Sequence, residues 1–159
     1  MSLSAPQSIA LNGAPSSFGI VAARYNPVLV DALLRTVVEE LKAAGVKGKR
    51  ITVIRVPGSH EVPVAAQWLA SSGKRDCVIG LGVLIAGNTN HHEMVGQSVS
   101  HALQQVALAT QVPVINGVIV ANNLKQAKAR CIGSINRGAE FARAGLEMAA
   151  LKRANGGQA

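Results

Sequence analysis

At 159 residues, 48% apolar and 3% aromatic, the chain has the length of one domain and a core of Ala, Val, Leu and Ile. Its formal charge of +8 lies in scattered pairs and triplets such as Lys47, Lys49 and Arg50, with no interleaved aromatics to stack on bases, so no nucleic acid is expected and a small anionic substrate is. No apolar run nears the roughly 18 residues of a membrane span, no secretory signal opens the chain, and Cys77 with Cys131 forms neither a disulfide framework nor a metal-ligand spacing; no membrane partner and a cytoplasmic location are the expectations.

In chain order, residues 1–17 read as an N-terminal tail or an exchanged edge strand, with Ser8 to Leu11 the segment that would add to a neighbour's sheet. Phe18 to Ala23 is a nearly continuous apolar run, as a parallel strand covered on both faces requires. Val30, Leu34, Val37, Leu41 and Ala44 then repeat at helical spacing. Asn26 is placed to cap that helix, Pro27 to occupy its first turn and Gly45 to end it. Ile51 to Val56 is the second strand, and Glu61 to Leu69 a short helix with Pro63 in its first turn. Cys77 to Ile85 is the third strand. A long helix follows, beginning near His91, with Val95, Val99, Ala102, Val106 and Ala109 on one face before Pro113. Val114 to Val120 is the fourth strand; Leu124 to Arg130 and Ala139 to Lys152 are the closing helices. Residues 154–159 are expected as a disordered tail.

Strand and helix alternate throughout, which predicts an α/β protein: a three-layer flavodoxin-like sandwich, its four-stranded parallel sheet flanked by helices, in one domain over residues 18–153. The last helix has two apolar stripes, Ala139, Ala142, Leu146 and Ala149 on one side and Phe141, Ala144, Met148 and Leu151 on another. One reading is a wide core face; the other is a second face buried in an oligomer.

In such sheets ligands bind beyond the carboxyl ends of the strands. Arg24, Tyr25 and Asn26 follow the first strand; Pro57 to Glu61 the second; Gly87 to His92 the third; Asn122 and Asn123 the fourth. Three of the four histidines and the only tyrosine thus fall on one edge. The third loop is the most informative. Gly87 allows backbone to approach a ligand, Asn90 and Glu93 have capping-box spacing, and the N–H groups at a helix start suit an anion such as phosphate. His91 stands there as a candidate base. Ser59 and Glu61 offer hydrogen bonds to ligand hydroxyls, or alternatively a turn and a helix-start acid. Tyr25 either stacks on a flat ring or plugs the top of the sheet. Arg130 is either a phosphate fork or a solvated helix-end cation.

At these loops the sequence resembles the lumazine synthase family, over roughly residues 18 to 150. The pieces that carry the resemblance keep their order: Ala23-Arg24-Tyr25-Asn26, Val56-Pro57-Gly58-Ser59-His60-Glu61-Val62-Pro63, Leu81 to His91, Val112 to Val118, Gln126 to Arg130, and Asn136-Arg137-Gly138-Ala139-Glu140. The resemblance implies condensation of 5-amino-6-(D-ribitylamino)uracil with 3,4-dihydroxy-2-butanone 4-phosphate, with no metal or organic cofactor. It implies that Tyr25, Ser59, His60, Glu61, Val83, Leu84, Ile85 and Asn116 bind the pyrimidine, that Asn88, Thr89 and Arg130 bind the phosphorylated substrate, and that His91 is the general acid/base. Asn116 and Arg130 match residues supplied by an adjacent subunit, so a homo-oligomer with shared sites is implied.

The sequence departs from the family's usual pattern at His60, where an aromatic is common, at Ala86, where a basic residue is common, and at Asn90-His91-His92, which stands for Pro-His-Phe or close variants. Spacing from Gly87 selects His91 rather than His92 as the catalytic imidazole. The stretch Cys131 to Ile135 is one residue short of the family's loop associated with icosahedral packing, which favours a free pentamer over multiples of pentamers. The alternative function is a lumazine- or flavin-binding protein on the same scaffold with weak or lost catalysis.

Overall fold

The computed structural model describes residues 4–156. Strands β1 (Phe18–Ala23), β2 (Ile51–Val56), β3 (Cys77–Ile85) and β4 (Val114–Ala121) form one parallel sheet in the order β2-β1-β3-β4. Helices α1 (Pro27–Ala43), α2 (Val62–Ser71), α3 (His91–Thr110), α4 (Leu124–Cys131) and α5 (Arg137–Gly156) connect and follow them, with short 3-10 turns at Gly48–Arg50 and Ser59–Glu61. The four strands begin where the apolar runs begin, because a parallel strand buried on both faces leaves no polar alternation to blur its ends.

The sheet separates two apolar layers. Phe18, Ile20 and Leu81 pack with Leu33, Val37 and Leu41 of α1 and Leu146 of α5 on one face. Val21 and Val78 pack with Val62 and Leu69 of α2 and Val99 and Leu103 of α3 on the other. In the central strands β1 and β3 nearly every side chain is buried, whereas the edges β2 and β4 are partly exposed. On β2 the exposed position Arg55 is tied down, to Asp31 at 2.8 Å and to the Ala23 carbonyl at 3.2 Å.

Chain ends differ from expectation in two places. Residues 11–17 are not loose: Gly13 N donates to the Ala44 carbonyl (2.7 Å), Ser17 N to Asp76 Oδ2 (2.7 Å), and Leu11 packs on the core. Residues 4–10 are exposed and without regular structure, and Ser8 to Leu11 pair with no strand of their own sheet. At the other end, residues 154–156 continue α5 rather than starting a tail, since nothing there breaks a helix before Gly156; residues 157–159, like 1–3, lie outside the described residues. Along α5 the first stripe is core: Ala139, Ala142, Leu146 and Ala149 are buried. Met148 and Leu151 of the second stripe are exposed.

Four of the basic side chains are tied down near the amino end of the sheet. Arg50 reaches the Pro15 carbonyl, Arg75 reaches Thr52 Oγ1, and Lys152 and Arg153 both approach Asp76. Among the described residues no helix is long and apolar enough to cross a membrane.

Candidate active site

The chain leaves β1 toward β2 on one side and returns to β3 on the other, so the tips of β1 and β3 border the point where the winding reverses. Loops diverge there, and a crevice forms at the carboxyl end of the sheet. A cleft of about 880 Å³ occupies that position.

Its first wall is the end of β1. Asn26, expected to cap α1, does not: its backbone is left-handed (φ 53°) and its side chain makes no cap bond. The amide instead donates from Nδ2 to the Val83 carbonyl at 2.8 Å, joining the tips of β1 and β3. Asn tolerates the left-handed conformation better than most residues. Tyr25, immediately before it, is 72% exposed and lies against Gly58, where a Cβ would sit 3.4 Å from Cδ2 of the ring. The ring is exposed where it lines the cleft and so does not plug the top of the sheet.

The second wall is the 3-10 turn Ser59–Glu61. Glu61 Oε2 accepts from Gly58 N at 2.8 Å, which closes the turn, and Oε1 stands 3.8 Å from His60 Nδ1. The turn reading of Glu61 is met by one oxygen, and the other lies beside His60 in a residue that lines the cleft. Ser59 is buried against β3, and its Oγ has no hydrogen-bond partner among the described residues. The close fit depends on Gly82, where a Cβ would lie 2.3 Å from Ser59 Oγ.

The floor is Val83, Leu84 and Ile85 at the end of β3, and the third wall is the loop from Gly87 into α3. Asn90 precedes α3 but its side chain makes no cap bond, so the expected capping box with Glu93 is not formed; Glu93 Oε1 lies 4.0 Å from His92 Nε2 instead. The helix start is left without a side-chain cap, and space over Gly87 is open to 4 Å. Uncapped N–H groups beside an open loop are the arrangement that receives an anion.

Tyr25, Ser59, His60, Glu61, Val83, Leu84, Ile85, Thr89 and His91 all line this one cleft. Three of the residues singled out from sequence do not. Asn88 is exposed on the loop but does not line it. Asn116 sits on the edge strand β4, with Oδ1 accepting from Val118 N at 3.1 Å. Arg130 is on α4 and donates from Nη1 to the Gln126 carbonyl at 3.1 Å. His92, placed on this edge from sequence but given no role, also lines the cleft, and sequence reasoning missed three further liners on α3: Met94, Val95 and Ser98. Among the described residues, no three His, Cys, Asp or Glu side chains are arranged to hold a metal ion.

The family model for 6,7-dimethyl-8-ribityllumazine synthase matches residues 15–153. The chain belongs to this family. It is 42% identical to the 6,7-dimethyl-8-ribityllumazine synthase of Polaromonas sp. over 141 residues, 89% of this chain and 90% of the relative. Identity to the synthase of Thermococcus onnurineus is 42% over 86% of this chain and 89% of the relative. With that of Halorhodospira halophila it is 38%, over 96% and 97%. Agreement over nearly the full length of lumazine synthases places all three walls of the cleft inside the matched region.

Proposed function

We propose that the chain is itself a 6,7-dimethyl-8-ribityllumazine synthase, a transferase that condenses 5-amino-6-(D-ribitylamino)uracil with 3,4-dihydroxy-2-butanone 4-phosphate in riboflavin biosynthesis, releasing phosphate and water. The observation that carries this reading is the convergence of Tyr25, Glu61, Thr89 and His91 on one cleft in a chain of this family. In it, Tyr25 stacks on the pyrimidine while Ser59, His60, Glu61 and the Val83–Ile85 floor hold the ring and the ribityl chain. That fixes the attacking amine against the ketone, the entropic part of the barrier. Asn88, Thr89 and the uncapped start of α3 hold the phosphate until it leaves. His91 moves protons during imine formation, elimination and ring closure.

Asn116 and Arg130 are outside their own chain's cleft, on β4 and α4. They serve the cleft of an adjacent subunit in a pentamer, Asn116 toward the pyrimidine and Arg130 toward the phosphate. The exposed Met148 and Leu151 of α5 and the unpaired Ser8–Leu11 segment support assembly, the segment by adding to the open edge of a neighbour's β2. The protein works in the cytoplasm.

Purified protein incubated with both substrates, followed by product absorbance and phosphate release, tests the activity; sedimentation of the same sample tests the pentamer. A rate no greater than the uncatalysed background removes the synthase reading, and a monomer with full activity removes the shared site.

A further inference from the structure

Asn122 and Asn123 follow β4 on the edge where ligands bind, yet neither lines the cleft. Their polar groups close the start of α4 instead. Asn123, extended in backbone, accepts at Oδ1 from Gln126 N at 2.9 Å. Gln126 reaches back, and its Oε1 accepts from Asn122 N at 2.9 Å. Two donors are satisfied reciprocally, as in a capping box whose return bond is displaced by one residue.

Helix α4 depends on that closure. Its 8 residues fall short of the roughly 12–15 that an isolated helix needs in water, and its first turn has no acid. Only Ala127 and Cys131 are buried, so a narrow apolar stripe ties it to the core. Arg130 stands near its far end, partly buried, and donates from Nη1 to the Gln126 carbonyl at 3.1 Å. The carbonyl that orients the guanidinium thus belongs to the residue whose side chain closes the first turn. When an uncapped first turn frays, that carbonyl moves and the guanidinium loses its fixed point.

Resting on the proposed synthase reading, in which Arg130 holds the phosphate in an adjacent subunit's cleft, we propose that Gln126 is a positioning residue for the reaction. Its side chain fixes the first turn of α4 and, through its own carbonyl, the aim of Arg130. A guanidinium held at one nitrogen presents its remaining donors to a phosphate in one direction. A loose one must be ordered as the substrate binds, which weakens affinity.

Steady-state kinetics of the assembled protein, each substrate varied in turn, test this with Gln126→Ala, Gln126→Glu, Arg130→Ala and the double variant of Gln126→Ala with Arg130→Ala. Gln126→Ala should raise KM for the phosphorylated substrate about fivefold, the size of a lost cap, and leave KM for the pyrimidine within about twofold. Gln126→Glu keeps an accepting oxygen and should stay close to wild type. With Arg130 already removed, Gln126→Ala should raise that KM no further. This reading separates positioning from stability, because a helix that merely folds less well adds its loss to that of Arg130→Ala. Additive losses, a rise in both KM values alike, or no rise at all overturn the proposal. An unaffected Arg130→Ala overturns it as well and leaves the synthase activity standing; wild type without turnover sinks the synthase reading and this inference with it.

Discussion

The Asn26 side-chain amide and the Val83 carbonyl, 57 positions apart in sequence, meet at 2.8 Å and hold the tips of β1 and β3 together beneath the cleft. The bond fixes the floor residue Val83 relative to Tyr25, the residue next to Asn26. Asn26→Ala removes the donor and strains a left-handed position, and should cost about 1–2 kcal/mol of stability with a raised KM for the pyrimidine. Asn26→Gly relieves the strain but not the lost bond. Denaturation and steady-state kinetics on both variants separate the two effects. If Asn26→Gly keeps the wild-type KM, the bond has no part in placing the platform.

His91 is exposed where it lines the cleft, and its side chain makes no hydrogen bond or ion pair among the described residues. His91→Ala should therefore leave the melting temperature nearly unchanged and slow kcat on the order of a hundredfold, the low end for general acid/base catalysis, since positioning supplies most of the acceleration. Pyrimidine affinity should change far less. An intact turnover at saturating substrates takes the proton-transfer role away from His91.

The strand cores were legible because β1 and β3 are apolar without interruption, and the cleft because its residues cluster after predicted strands. What escaped was whatever depended on direction. Asn26 has the residue type and place of a helix cap, but its left-handed backbone turns the amide toward β3. On α3, periodicity placed Val95 on the core face and gave no direction to Met94 or Ser98. The loop after β3 brings the start of α3 over the carboxyl end of the sheet, so His92, Met94 and Ser98 line the crevice. Asn116 came from resemblance alone and Arg130 from residue type with an alternative left open, and both lie outside their own chain's cleft.

The proposed sharing of sites between subunits has a complementation test. His91→Ala and Arg130→Ala each should be impaired alone, Arg130→Ala through a KM for the phosphorylated substrate raised roughly tenfold by the lost charged contact. Unfolded together and refolded as mixed oligomers, the two variants should regain activity, because some clefts then pair an intact His91 with an intact Arg130 from the next chain. Mixed samples no more active than the average of the parents count against sites shared between subunits.

Gly82 and Ser59 form a second paired constraint. A Cβ on Gly82 would lie 2.3 Å from Ser59 Oγ and 3.2 Å from its Cβ, so Gly82→Ala must push the Ser59–Glu61 turn off the sheet. The expected cost is roughly 1–3 kcal/mol, as for other overpacked cores, with weaker pyrimidine binding. Ser59→Gly removes both clashing atoms, so the double variant should recover most of the lost stability. Additive losses in a double-mutant cycle would show that the two positions do not collide.

Both cysteines tie stability to alkaline pH. Burial pushes the Cys77 thiol up, with the Asp76 carboxylate adding to the effect, and burial raises Cys131 to about 11 from 9.0 against an opposing pull from Arg130. Well below pH 9.0 both thiols are protonated in either state and contribute no slope. Between about 9.0 and 11 the unfolded chain releases thiol protons that the folded chain keeps, so the unfolded state binds fewer protons and stability falls as pH rises. Denaturant midpoints measured upward from about neutral pH should decline more gently in Cys131→Ala than in wild type. Native protein should also resist iodoacetamide until denaturant is added, because the buried thiols are neither ionised nor accessible. An unchanged slope in the variant, together with rapid labelling of native Cys131, would mean that the thiol is open to water.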